Sequence, residues 1–299
     1  MTHQKPNLIF TQIPIGIRYM ILSAFGFAIM AVCVKWTSKG GIPVLEIVAA
    51  RSLISLVLSI LDVKRKRLPL FGHRKPLLIA RGTVGAFALM CVYYAITALP
   101  LAEATVLQYL HPVFTALLAL FLLKERLHPP TIVCIVLSFI GVLIIARPAF
   151  LFGDDIQKFS MISIGIGILG AFGSAIAYVL VRKLNETEDP SVIIFYFPLI
   201  ALPISLFFLG NEFVMPTGRQ WIELLCVGIF TQIGQIGLTK SMQTETASRA
   251  TAFSYLQVVF SVFLGWFVFD EIPVIFTWIG GGFILLGALI NLFWKRKLN

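Results

Sequence analysis

Apolar runs long enough to cross a bilayer recur along almost the whole chain, at 17–36, 43–61, 77–98, 102–123 and 131–146, and again at 161–181, 191–210, 221–242, 250–269 and 274–294. A hydrocarbon core about 30 Å thick takes about 20 apolar residues per helical crossing, so each run predicts one membrane-spanning helix. Polarity does not alternate along the runs with the period of a strand, and they are too long for barrel strands, which sets a β-barrel aside. The polar stretch 1–17 leads into the first run without a small-residue cleavage site, so that run reads as a retained span.

The runs fall into two similar sets. Shifted by 146 positions, Ala104, Thr105, Tyr109, Leu110, Val113, Phe114, Leu118, Phe121, Glu125 and Gly141 fall on Ala250, Thr251, Tyr255, Leu256, Val259, Phe260, Leu264, Phe267, Glu271 and Gly287. Ten identities at one ungapped shift are hard to reach by chance, even in apolar sequence. A shift of 147 places Ala24, Phe25, Gly26, Ala28 and Ile29 on Ala171, Phe172, Gly173, Ala175 and Ile176. The chain therefore divides into two five-span units, 1–148 and 149–299. Five is an odd number, so the second unit enters the membrane in the opposite sense to the first. Neighbouring charges agree: Glu125 stands between Lys124 and Arg126, whereas Glu271 has Asp270 beside it. The predicted fold is an all-α membrane protein of ten transmembrane helices arranged as two inverted five-helix repeats. Secondary transporters use this arrangement to expose one site to each side in turn.

Composition leaves no room for a separate soluble domain. Of 299 residues, 58% are hydrophobic and 13% charged, against about 25% charged in ordinary soluble domains, and the mean hydropathy is +0.92. A net charge of +10 would suit nucleic acid, but the basic residues cluster at run ends, as in Lys64, Arg65, Lys66 and Arg67, then Arg74 and Lys75. They read as topogenic marks or contacts to lipid headgroups, so the expected surroundings are a lipid bilayer and no nucleic acid is expected. With the N-terminus inside, the inner segments also collect Arg81, Lys124, Arg126, Arg182, Lys183, Lys240 and Arg249, while the outer ones hold Lys35, Lys39, Arg147, Lys158 and Arg219. That asymmetry predicts a bacterial inner-membrane protein with both termini cytoplasmic. Cys33, Cys91, Cys134 and Cys226 lie inside apolar runs without metal or redox spacing, so no metal, cofactor or catalytic residue is assigned.

An ionisable residue deep in a span costs about 2.5–3.5 kcal/mol for Arg on insertion scales and so marks a functional candidate. Arg51 lies near the middle of the second run, and its repeat position is the apolar Phe197. A guanidinium there can hold a carboxylate or phosphate through its planar fork of donors; the structural alternatives are an ion pair with Glu46 or snorkelling to the interface. His111, beside an expected kink at Pro112, has Gln257 as its repeat partner, and a histidine there could carry a coupling proton or simply bond its neighbours. Tyr109 and Tyr255 are likewise repeat partners at mid-span. Tyr93, Tyr94, Tyr178, Gln232 and Gln235 complete a candidate substrate-binding set, the two glutamines sharing a helix face; interhelical hydrogen bonding is the alternative for each. Glu125 and Glu271 read as caps of the following helices, ahead of a gating role. Gly165, Gly167, Gly170 and Gly173, and Gly280, Gly281 and Gly282, read as sites of close helix contact.

The segments ALPLAEATVLQYLHPVFTALLALFLLKERL at 98–127 and SRATAFSYLQVVFSVFLGWFVFDEI at 248–272 resemble the fourth and ninth spans of EamA-type carriers of the drug/metabolite transporter (DMT) superfamily. Glu125 with Gly141, and Glu271 with Gly287, match that family's acidic loop residue and Gly-bearing fifth helix. The resemblance covers nearly the whole chain. It implies a cavity between the halves built from the first four helices of each, with the fifth helices peripheral and often at a homodimer contact. It further implies secondary transport of a small organic solute, with export of an amino acid or related zwitterionic or anionic metabolite favoured. Exchange or uptake of S-adenosylmethionine or a nucleotide-type solute is the alternative within the superfamily. A membrane enzyme acting on lipid would need clustered Asp, His or Ser, and a channel a filter segment or charge rings; neither pattern occurs in the sequence, nor does a GxxxxGK[ST] loop for direct ATP drive.

Overall fold

The computed structural model describes residues 13–99, 101–146, 160–270 and 272–294. Within them stand ten helices long and apolar enough to cross a membrane. We number the spans α1 (Ile15–Lys39), α2 (Val44–Arg65), α3 (Lys75–Ala98), α4, α5 (Pro129–Ala146), α6 (Met161–Leu184), α7 (Pro190–Leu209), α8 (Gly218–Thr244), α9 and α10 (Ile275–Phe293). Two are broken. The fourth consists of α4a (Leu101–Gln108) and α4b (His111–Leu122), and the ninth of α9a (Ala247–Ala252), a 3₁₀ turn (Phe253–Tyr255) and α9b (Leu256–Phe269). The boundary between the units at 148/149 and the acidic Glu271 lie outside the described residues.

Each break has a local cause. Pro112 has no N–H to donate and its ring crowds the carbonyl four residues back, so the helix stops at Gln108 and restarts at His111. In the ninth span no proline intervenes, but hydroxyls compete for the backbone: Thr251 donates to the Ala247 carbonyl at 2.8 Å and Ser254 to the Thr251 carbonyl at 2.6 Å. Such bonds bend helices. The two interruptions meet, because the Tyr255 hydroxyl donates to the freed Tyr109 carbonyl at 2.9 Å and the two rings stack at 5.6 Å.

The halves pack on each other in repeat-related pairs: α1 on α8 and α3 on α6, α2 on α7, and α5 on α10. Side-chain contacts follow the same symmetry. Phe25 meets Phe260 edge-on at 5.4 Å, and their repeat partners Phe172 and Phe114 meet edge-on at 5.6 Å. Small residues allow these approaches, since between membrane helices packing is a main attraction. A Cβ on Gly26 would lie 3.1 Å from the Gly234 nitrogen, and one on Gly173 would lie 3.0 Å from the Ala88 Cβ. The fifth helices close on each other through Gly141, where a Cβ would stand 2.5 Å from the Gly280 carbonyl oxygen. Large apolar side chains cover the outside, among them Phe207, Phe267 and Ile272.

Hydrogen bonds between span ends mark two faces. On one, which carries the 64–67 basic block, Lys66 pairs with Asp189 at 3.0 Å and Glu188 accepts from the His73 and Arg74 N–H groups. Burial alone would raise the Asp189 carboxyl, but the Ser191 N–H and Lys66 hold it below the usual carboxylate range. On the opposite face Gln220 donates to the Gly40 carbonyl and Glu46 accepts from the Val214 N–H.

Candidate functional site

Between the halves, at the level of the helix breaks, lies a cavity of about 160 Å³. Every one of its lining side chains comes from the first four helices of a unit: Phe27 and Met30 of α1, Arg51 of α2, Arg81, Gly85, Leu89 and Val92 of α3, and Gln108, Tyr109 and His111 at the α4 break. Opposite them stand Ser174, Ala177 and Tyr178 of α6, Phe197 of α7, Gln235 of α8 and Gln257 of α9b.

Two arginines dominate its chemistry. Arg51 and Arg81 are 5% and 3% exposed, and their guanidinium carbons lie 5.9 and 5.2 Å from the centroid of the same Phe197 ring. Among the described residues neither has a carboxylate partner. Arg51 Nη1 reaches the Met30 sulfur at 3.8 Å, a weak contact, and Arg51 Nε and Arg81 Nε and Nη1 are buried without hydrogen bonds. The ion pair considered for Arg51 is absent because Glu46 points away, its Oε2 accepting the Val214 N–H at 2.9 Å. Snorkelling is absent too, since the side chain is buried at mid-span. Buried cations without counter-charge cost several kcal/mol each, and a stack on Phe197 offsets only about 2 kcal/mol.

The structure brings together six of the candidates named from sequence: Arg51, Tyr109, His111, Tyr178, Gln235 and Gln257. His111 packs edge-on against Tyr178 at 5.2 Å with its Nδ1 unbonded, and among the described residues no carboxylate pairs with it. The other four fall elsewhere. Gln232, three residues from Gln235, is turned to α2, accepting from Ser55 at 2.6 Å and donating to Ser59 at 3.0 Å. Tyr255 is fully buried behind Tyr109, which shields it from the cavity. Tyr93 and Tyr94 line a separate apolar groove with Val44, Leu45, Met90 and Phe208, because α3 turns that face outward. Arg81, Gln108 and Ser174 are the polar wall residues that sequence reasoning missed. Arg81 had been read as a flanking topogenic charge, yet α3 begins at Lys75, which places it well inside the span. The missing side chain of Gly85 one turn on makes room for it, since a Cβ there would lie 2.5 Å from Arg81 Nη1.

The cavity has a neighbour on one side and a polar bridge on the other. A second cavity of about 360 Å³ shares Gln108, Tyr109 and Gln257 with the first and continues between α1, α4a and α9b to Lys35 and Phe269, at the face opposite the basic block. Toward the basic face a polar clasp joins the halves. Arg182 at the end of α6 pairs with Glu125 at 3.0 Å and donates to the Met242 carbonyl, while Glu125 Oε2 accepts the Ala247 N–H. Glu125 thus caps the start of α9a in the other unit. The helix that follows it in sequence, α5, is not its target, because the chain turns at Lys124 (φ 53°) and carries the carboxylate across.

The comparisons with known proteins agree with this architecture. The EamA-like transporter family model matches residues 14–147 and again 151–293. The chain is 31% identical over 283 residues to the pseudopaline exporter CntI of Pseudomonas aeruginosa, covering 94% of this chain and 97% of that protein. It is 30% identical over 288 residues to human solute carrier family 35 member G1, covering 93% and 78% respectively. A solved crystal structure, 18% identical, shares the fold with a TM-score of 0.82 over 95% of this chain and 98% of that one. With the family model matched over both halves, and relatives of the DMT superfamily aligned along almost its full length, this chain belongs to the EamA-like transporter family.

Proposed function

We propose that this chain is a secondary carrier that exports a small anionic or zwitterionic organic metabolite across a bacterial inner membrane by alternating access. Its termini lie in the cytoplasm, its two units are 1–148 and 149–299, and it acts on the solute without chemical conversion. The observation that carries this reading is the pocket between the halves with Arg51 buried in it and unpaired. A guanidinium with no protein counter-charge attracts an anion, and its planar fork of donors matches a carboxylate or phosphate. Export is supported by the Pseudomonas relative, a pseudopaline exporter. The alternative of S-adenosylmethionine suits the pocket less well, because an added sulfonium charge would meet two uncompensated cations, whereas a nucleotide-type anion would not. His111 serves in this account as a hydrogen-bonding wall.

Counterflow in proteoliposomes tests the proposal, using a panel of amino acids, organic anions, nucleotide-type solutes and S-adenosylmethionine at two pH values. Exchange of at least one anionic or zwitterionic metabolite is expected, with Arg51→Ala lowering it by at least about tenfold, the loss of one charge-assisted contact worth about 1.5–3 kcal/mol. Unchanged exchange in Arg51→Ala for every accepted anion would refute the role given to that residue.

A further inference from the structure

Resting on the carrier reading, we infer that the transported solute bears two negative charges, as a dicarboxylic amino acid or a phosphorylated metabolite does. One carboxylate compensates one guanidinium. The cavity holds two, on α2 and α3, which both pack on α7, and both are over 90% buried and beside Phe197. Three of their nitrogens, Arg51 Nε and Arg81 Nε and Nη1, are inaccessible to water and unbonded. No carboxylate of the described residues lines the cavity. A monoanion would leave one buried cation unmatched in the loaded carrier.

The remaining wall narrows the class. His111 Nδ1 and Gln235 Oε1 are also buried without partners. They add neutral hydrogen-bonding groups to the cavity wall, suited to an ammonium or hydroxyl group. At about 160 Å³ the cavity is smaller than the roughly 300 Å³ at which drug-sized pockets begin. The solute is therefore a compact dianion that also carries a hydrogen-bonding group.

Matched pairs of solutes test this in counterflow with the purified full chain in proteoliposomes. Glutamate is set against glutamine, succinate against succinamate, and glycerol phosphate against glycerol, so that the first two pairs differ in charge at nearly constant size and the third by the phosphate group. We expect the dianion-competent member of at least one of these pairs to be preferred by at least about tenfold, as sites built around a buried polar group reject analogues that lack its partner. The pair that shows the preference tells carboxylates from phosphate. Arg51→Gln and Arg81→Gln should each reduce the preference at least about fivefold, whereas Arg51→Lys and Arg81→Lys, which keep the charge, should retain it with weaker apparent affinity. Equal exchange within every pair, or a preference that survives both Gln substitutions, would overturn the inference while leaving the carrier reading intact. If no solute of any charge class is exchanged, the carrier reading itself fails, and the inference with it.

Discussion

At the scale of single residues, function is written in unpaired charge. Most buried polar groups in this chain have partners: Arg249 pairs with Glu245 at 2.9 Å and donates to the Asn291 carbonyl, and Arg182 pairs with Glu125. Arg51 and Arg81 stand apart from these because no carboxylate of the described residues pairs with them. Their positions depend on neighbours that supply space. Gly85→Ala would place a methyl group against Arg81 Nη1 and within 3.1 Å of the Phe197 ring. The displaced atom is the end of a flexible side chain, so the fold should tolerate the change and the site should not. The expected result is a thermal unfolding midpoint close to that of the parent, together with a drop in solute affinity of about tenfold, or 1.4 kcal/mol, read by concentration-dependent counterflow. Arg51 was legible in sequence as a charge at mid-run. Arg81 was not, because a basic residue near a run's end has the same appearance as a topogenic charge; only the helix phase, with Gly85 one turn further, turns it inward.

At the scale of elements, the breaks in the fourth and ninth spans place the site. The first was readable from Pro112. Its counterpart was hidden, since hydroxyl-to-carbonyl bonds at Thr251 and Ser254 are geometric facts with no proline to announce them. The span positions themselves were legible throughout, because a run of apolar residues between charges is what a bilayer crossing requires. Which face of a span looks inward was harder to read: Gln232 and Gln235 share a face of α8, yet one bonds to α2 and the other reaches the cavity. Glu125 belongs at this scale too, as it ties α4 to α6 and α9a. Glu125→Gln keeps an acceptor for the Ala247 N–H and removes the charge opposite Arg182. We expect the closed arrangement at the basic face to weaken by about 1–2 kcal/mol, a shift of roughly 5–30-fold. Solvent access to the cavity from that face, measured as the rate of thiol modification of a cavity cysteine, should rise accordingly; an unchanged rate would remove Glu125 from the closing mechanism.

At the scale of the whole molecule, the duplicated halves meet around a shared pocket, with the Glu125–Arg182 clasp joining them toward the basic face and the second cavity extending toward the opposite one. The pairs α2 with α7 and α5 with α10 join repeat counterparts, and α1 with α8 and α3 with α6 map onto each other, so an arrangement closed at the other face uses the same contacts with the units exchanged. The repeat was plain in the sequence at shifts of 146 and 147. The side on which this structure is closed was not, because two states built from one set of contacts share one sequence pattern. The most direct test is two-sided labelling of Ser174→Cys in an otherwise cysteine-free background, since Ser174 lines the pocket. A membrane-impermeant thiol reagent added to oriented vesicles should modify this cysteine from either side, and a transported solute should slow both reactions. Modification from one side only, indifferent to every exchanged solute, would contradict a shared pocket that opens in turn to each side.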